Sequence, residues 1–165
     1  MDTVISKDGT PIAYQRSGKG SVLVLIHGTT SDHSTTWKFI LASLEEHFTV
    51  YAMDRRGRGE SGDGPAYSLD REAEDVAVLI DSIGQPVNVL GHSYGALCAI
   101  KAALLTNNIR RLILYEGVPA RGIDLYKPGI IDEMQKLIDS GKTEDALMIM
   151  FREVVNMPED EIHIL

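Results

Sequence analysis

Gly91-His92-Ser93-Tyr94-Gly95 lies directly after the apolar residues 87–90 and directly before a helix-like segment, 94–106. A serine in this setting stands on a very sharp turn between a strand and a helix. The flanking glycines let the two backbones approach without Cβ clashes. The turn pushes the hydroxyl out at the strand's carboxyl end, where open α/β sheets bind ligands. The helix N-terminus offers backbone N–H groups and a partial positive charge to a developing anion. A bare G-x-S-x-G could be an accidental Gly/Ser turn. The strand before it and the helix after it make it a nucleophile elbow.

The rest of the chain fits that context. Residues 4–6 and 12–16 flank Lys7-Asp8-Gly9-Thr10 and read as a hairpin. Residues 22–26 are apolar without alternation, as expected for a strand buried on both faces. Trp37, Ile40, Leu41 and Leu44 recur at helical spacing, and residues 48–53 form the next strand. A glycine-rich loop runs from Asp54 to Pro65. Ser68 is placed to cap a helix bearing Ala73, Val76, Ala77, Leu79, Ile80 and Ile83, closed by Gly84. Residues 87–90 and 112–115 are strands. This alternation predicts an α/β fold: three layers, a mostly parallel sheet with helices on both faces.

After Pro119 the pattern changes to helices alone. One carries Ile130, Ile131, Met134, Leu137 and Ile138. A second carries Leu147, Met150, Phe151, Val154 and Val155 with Thr143 as its N-cap, and a third begins at Pro158. The expected division is therefore 1–119 and 120–165.

Composition narrows the classes of function. The chain has 165 residues, 44% hydrophobic and 24% charged, enough for one domain with a core. A net charge of −8 disfavours a general nucleic-acid or anionic-membrane binder, and no apolar run approaches a membrane span. The single cysteine, Cys98, allows no internal disulfide, and no cysteine-based metal site follows from it. The N-terminus lacks a secretory signal pattern, so the expected location is cytoplasmic.

Two further motifs precede the elbow in order. His27-Gly28-Thr29-Thr30 follows the third strand, and Asp54-Arg55-Arg56-Gly57-Arg58-Gly59-Glu60-Ser61 follows the fourth. With the elbow after the fifth, the chain resembles the N-terminal part of an α/β-hydrolase-fold serine hydrolase. The likeness runs from about Val22 to Tyr115, and the helices after Pro119 resemble the start of the family's cap. The resemblance implies Ser93 as nucleophile and the N–H groups of Thr29 and Tyr94 as oxyanion donors. His27 is then a residue shaping its loop rather than a base.

Other features have plainer readings. Gly57-Arg58-Gly59-Glu60-Ser61-Gly62 matches G-x-G-x-x-G, but Asp63-Gly64-Pro65 prevents it from opening a helix, so no dinucleotide is implied. Gly18-Lys19-Gly20-Ser21 lacks the spacing of a P-loop. Arg55, Arg56 and Arg58 could clamp an anionic substrate, or anchor their loop. Asp32 and His33 read as surface loop residues, and Cys98, on an apolar helix, as packing. The methionines of the last third suit an adaptable cap surface or ordinary packing.

A serine needs a neighbouring, oriented base. In the resembled family the order is Ser, then Asp or Glu, then His. After Ser93 stand Glu116, a candidate acid or a structural loop carboxylate, and His163, a candidate base or a surface residue. The family's sheet has eight strands, and six are seen here. The expectation is that a complementary C-terminal segment or chain supplies the base and covers residues 112–115, and that these 165 residues alone are inactive. Serine in place of aspartate at position 93 disfavours relatives such as haloalkane dehalogenases and epoxide hydrolases. Relatives that cleave carbon–carbon bonds, release cyanide or act as cofactor-free haloperoxidases remain open. The expected activity is hydrolysis of a carboxylic ester or related small acyl substrate, with no cofactor. The alternative is a non-catalytic, hydrolase-like protein that binds a small molecule or a partner.

Overall fold

The computed structural model describes residues 1–117 and 126–162. Two compact units are present, Met1–Pro119 and Ala120–Leu165. The expected boundary at 119/120 lies outside the described residues.

The first unit is built on a six-stranded sheet. Its strands are β1 (Asp2–Ile5), β2 (Pro11–Gly18), β3 (Ser21–Ile26), β4 (Phe48–Met53), β5 (Val87–His92) and β6 (Ile109–Tyr115). They are arranged in the order β1-β2-β4-β3-β5-β6. β1 and β2 form an antiparallel hairpin, and β2 pairs antiparallel with β4. The four strands from β4 to β6 are parallel, with Ile26 of β3 opposite Met53 on one side and Gly91 on the other.

Side chains alternate between the sheet's faces, and the core divides accordingly. Val22, Val24 and Ile26 of β3 face the helices α2 (Leu69–Ser82) and α3 (Tyr94–Ala102). There they meet Val76, Leu79, Ile80, Cys98 and Ala99. Leu23 and Leu25 point to the other face, with Val50, Ala52, Trp37 and the short helix α1 (Leu41–Glu45). Helices therefore do lie on both sides of a mostly parallel sheet. Ser68 caps α2 by accepting a hydrogen bond from the Arg71 N–H at 3.2 Å.

The helix read from Trp37 onward is shorter than its apolar spacing suggests. The Asp32 carboxylate instead accepts the N–H groups of Ser34 and Thr35 at 2.8 and 2.9 Å. That side-chain competition holds residues 32–36 in turns. Trp37 is buried all the same, while Phe39 is 91% exposed.

β6 is the sheet's outer strand among the described residues. Ile113, Leu114 and Tyr115 are 48%, 41% and 60% exposed. A parallel strand of this composition with an unpaired edge is a template for further pairing.

The second unit holds α4 (Ile130–Asp139), α5 (Thr143–Ile149), a wide π-type turn over Met150–Val154 and α6 (Glu159–Ile162). Thr143 is the first helical residue of α5, not its cap. Lys142 holds the cap position, without a side-chain hydrogen bond. Among the described residues no helix is long and apolar enough to cross a membrane.

Candidate active site

Ser93 stands between the end of β5 and the start of α3 with φ 52° and ψ −121°. That left-handed backbone is costly for any residue with a Cβ, by about 1–3 kcal/mol. Strain of this kind persists only where the surroundings enforce it. Here the Ser93 N–H donates to the Tyr115 carbonyl at 2.8 Å, and the Ser93 carbonyl accepts from the Ala96 N–H at 2.9 Å. The backbone crossing explains both glycines of the motif. A Cβ at position 91 would stand 2.6 Å from the Ala96 Cα. One at position 95 would overlap the carbonyl oxygens of Ile26 and His27 in and after β3.

The serine is half-buried, not packed into the core, and its hydroxyl makes no hydrogen bond among the described residues. The loop after β3 runs directly against it. A Cβ on Gly28 would be 3.2 Å from the Ser93 Cβ. Thr29, next in that loop, is half-buried. Tyr94 is the first residue of α3, so its N–H precedes the helical hydrogen-bond ladder. No backbone hydrogen bond among the described residues uses the N–H of Thr29 or Tyr94. The loop after β3 and the start of α3 thus both adjoin Ser93.

Behind that spot lies a buried polar layer. His27 is fully buried. Its Nδ1 donates to the Gly28 carbonyl at 2.9 Å, and its Nε2 accepts the Arg55 N–H at 3.0 Å. Those partners require the neutral, Nδ1-protonated ring, which leaves no nitrogen for Ser93. Burial pushes the His27 pKa down to about 4, overriding the Gly28 hydrogen bond, and the Arg55 charge adds to the effect.

A stability prediction follows from that shift. The unfolded chain takes up this proton near pH 6.5, whereas the folded one resists it to about pH 4. Stability from His27 is therefore intact above pH 6.5 and falls as the pH drops through that window, by up to about 3 kcal/mol. Asp8 and Asp32 act only below it. The Arg56 guanidinium beside Asp8 holds its carboxyl low, and hydrogen bonds from Ser34 and Thr35 outweigh burial to hold Asp32 at about 2. Urea midpoints of the intact protein at pH 7.5, 5.5 and 4 should decline by this amount. His27→Gln should lower stability at pH 7.5 but flatten the decline. An undiminished slope in that variant would contradict the assignment.

Arg55 is buried and shared among four partners. Its Nε and Nη2 grip the Glu72 carboxylate at 2.5 and 2.8 Å, Nη1 donates to the Gly28 carbonyl at 2.8 Å, and Nη2 reaches Tyr67 Oη at 3.1 Å. Its guanidinium lies 4.4 Å from the Tyr94 ring centroid. Arg56 is held as firmly, bidentate to Asp75 at 2.7 Å and bonded to Asp8 and the Ala66 carbonyl. These two arginines anchor their loop. Arg58, whose Nη1 donates to the Gly57 carbonyl, is half-buried.

The G-x-G-x-x-G segment forms a closed loop. The Gly57 N–H donates to the Gly62 carbonyl, and the buried Asp54 carboxylate collects the N–H groups of His33 and Glu60. His33 also places Nδ1 2.8 Å from Asp54, which makes it a tether of this loop and not the free surface residue its sequence suggested. Cys98 is buried 3.8 Å from Glu72, and burial, with the neighbouring carboxylate, pushes its thiol up. Glu72 escaped the sequence reading. The signal available was a carboxylate on the same helical face as Val76 and Leu79.

Glu116 follows β6 with φ 55° and is exposed, its carboxylate 3.5 Å from His92 Nε2. It reaches His92, not Ser93. The His92 ring stacks on Tyr115 with centroids 5.3 Å apart. His163 lies outside the described residues. Among the described residues no group of three or more His, Cys, Asp or Glu is placed to hold a metal ion.

A sharply turned serine facing a glycine loop and a helix N-terminus, on a sheet of this order, has relatives. The profile of the alpha/beta hydrolase family matches residues 23–158. The chain belongs to that family. Among its curated relatives is the N-formylmaleamate deformylase of Pseudomonas putida, 38% identical over 117 residues, which are 68% of this chain and 43% of that protein. Another is the pimeloyl-[acyl-carrier protein] methyl ester esterase of Photobacterium profundum, 32% identical over 135 residues, 77% of this chain and 50% of that one. The crystal structure of an alpha/beta hydrolase from Sphaerobacter thermophilus superposes with a TM-score of 0.86 at 38% identity, over 98% of this chain and 63% of that one. The chain thus spans about half the length of the curated relatives it matches.

Proposed function

We propose that this chain carries the nucleophile and oxyanion site of a serine hydrolase acting on a carboxylic ester or related small acyl substrate. The observation that carries the reading is the strained, half-buried Ser93, lying against a loop and a helix start whose Thr29 and Tyr94 N–H groups have no backbone partner among the described residues. The relatives named as a deformylase and a methyl ester esterase support acyl transfer as the reaction class.

In the proposed cycle Ser93 Oγ forms a bond to the acyl carbon while its proton passes to a base. The Thr29 and Tyr94 N–H groups stabilise the oxyanion, each worth about 10²–10³ in rate. The carbon–leaving-group bond then breaks, the leaving group takes the proton, and water hydrolyses the acyl-enzyme. Among the described residues His27 is committed to its loop, His33 to Asp54, His92 lies beside Glu116, and His47 precedes β4 at the end of the parallel strands opposite to Ser93. The base is therefore assigned to a histidine on a complementary C-terminal segment or chain, which would also cover the exposed edge of β6. The helices of the second unit are assigned to the beginning of the family's cap.

Peptide mapping after treatment of the intact protein with a fluorophosphonate tests this. The adduct is expected on Ser93 and absent in Ser93→Ala. A folded, intact protein that leaves Ser93 unlabelled would favour the non-catalytic binding role.

A further inference from the structure

The N–H assigned to Thr29 as an oxyanion donor belongs to the same peptide unit as the Gly28 carbonyl. The unit is trans, as are all the described peptides. In a planar trans peptide the C=O and N–H point in opposite directions. Whatever holds the carbonyl therefore sets the direction of the N–H. Two buried donors converge on the Gly28 oxygen: Arg55 Nη1 at 2.8 Å and His27 Nδ1 at 2.9 Å. The Arg55 guanidinium is itself fixed by its two-point grip on Glu72, and it lies over the ring of Tyr94, the residue bearing the second oxyanion N–H.

We infer that Arg55, locked by Glu72, is a positioning residue for the oxyanion site: it holds the Gly28–Thr29 peptide so that the Thr29 N–H faces the space above Ser93. The inference rests on the acyl-transfer reading above. Arg55 touches no substrate in this role. It acts through one peptide plane, and its charge does a second thing. A cation hydrogen-bonded to a carbonyl polarises the whole amide, which makes the N–H at the far end a better donor to an anion. The arginine fork is what the task requires. One planar group reaches Glu72 with Nε and Nη2 while Nη1 is left for Gly28. A lysine ammonium, a point charge on a flexible stem, cannot hold that geometry on both partners.

Two readings of Arg55 are open in the sequence, substrate clamp or loop anchor. Its burial removes the first. Its bond to Gly28 makes the second more than an anchor, because the anchored peptide is part of the site.

Two variants of the intact protein test this. Arg55→Lys keeps a charge opposite Glu72. The pair Arg55→Gln with Glu72→Gln removes both charges together, so neither is left buried alone. p-Nitrophenyl acetate serves as the probe ester, and the Thr29 amide proton is followed by NMR in ¹⁵N-labelled protein. The expected result in both variants is a kcat lowered by about 10²-fold with KM within about twofold, as for a catalytic group displaced by ~1 Å. The Thr29 amide resonance should move upfield. A purely structural arginine would lower Tm without that kcat-against-KM split or the selective resonance shift. A Thr29 resonance and a kcat both unchanged in either folded variant would overturn the inference. The NMR arm stands apart from turnover. If wild-type protein fails to hydrolyse the ester or to label at Ser93, the acyl-transfer reading falls, while the Thr29 resonance still reports whether Arg55 sets that peptide.

Discussion

Ser93→Gly is expected to make the intact protein more stable while removing the hydrolysis proposed for it. The serine holds φ 52° and ψ −121°, where a Cβ is strained. Glycine reaches that conformation freely but loses more chain entropy on folding, so the net gain should be about 1 kcal/mol. Ser93→Ala keeps the Cβ and should show no such gain. Both variants remove the hydroxyl, and both should lower turnover by about 10⁶-fold, as loss of a serine nucleophile does in a protease of this mechanism. Urea midpoints and ester turnover of the two variants decide the matter. Equal stability of the Gly and Ala forms would mean the turn is relaxed. Turnover surviving in either would remove Ser93 from the mechanism.

The second large effect belongs to Gly95→Ala. A methyl group there overlaps the carbonyl oxygens of Ile26 and His27. Both belong to backbone in or just after β3, the strand between β4 and β5, so neither can swing aside as a side chain would. The overlap is expected to cost about 3 kcal/mol or more, the upper range for an overpacked site. Gly84→Ala is the control. It also adds a methyl, at φ 73°, but into open space. Its cost should stay near 1 kcal/mol. If the two variants unfold at the same denaturant concentration, the close crossing of elbow and β3 is not what demands glycine at 95. If Gly95→Ala instead folds, with α3 pushed away, fluorophosphonate labelling of Ser93 should slow, because the Tyr94 N–H moves with the helix.

Much of the first unit could be read from the chain. Residues 22–26 announce a strand covered on both faces, and the structure divides them, Val22, Val24 and Ile26 to one side, Leu23 and Leu25 to the other. The cap of α2 at Ser68 was equally plain, because a serine before an apolar stripe has few other uses. The stretch around Trp37 was not. Its spacing is helical, but Asp32 captures the N–H groups of Ser34 and Thr35, and periodicity carries no information about such local competition. Thr143 misled for a related reason. A threonine before an apolar run can cap the helix or begin it, and the choice depends on the backbone of Lys142.

Among the site residues, the sequence by itself pointed to Ser93, Thr29 and Tyr94 as candidates, since each stands within a few residues of a strand or helix end, where local sterics dictate what such turns need. It could not assign the roles of Arg55, Glu72, His27 and His33. Those roles depend on which groups meet across 17 to 28 positions of chain in a dry interior, where each charge or ring nitrogen must find a partner. Pairings of that reach are settled by the packing of β3, β4 and α2, and only the folded molecule shows that an arginine outside the elbow grips the peptide next to its serine.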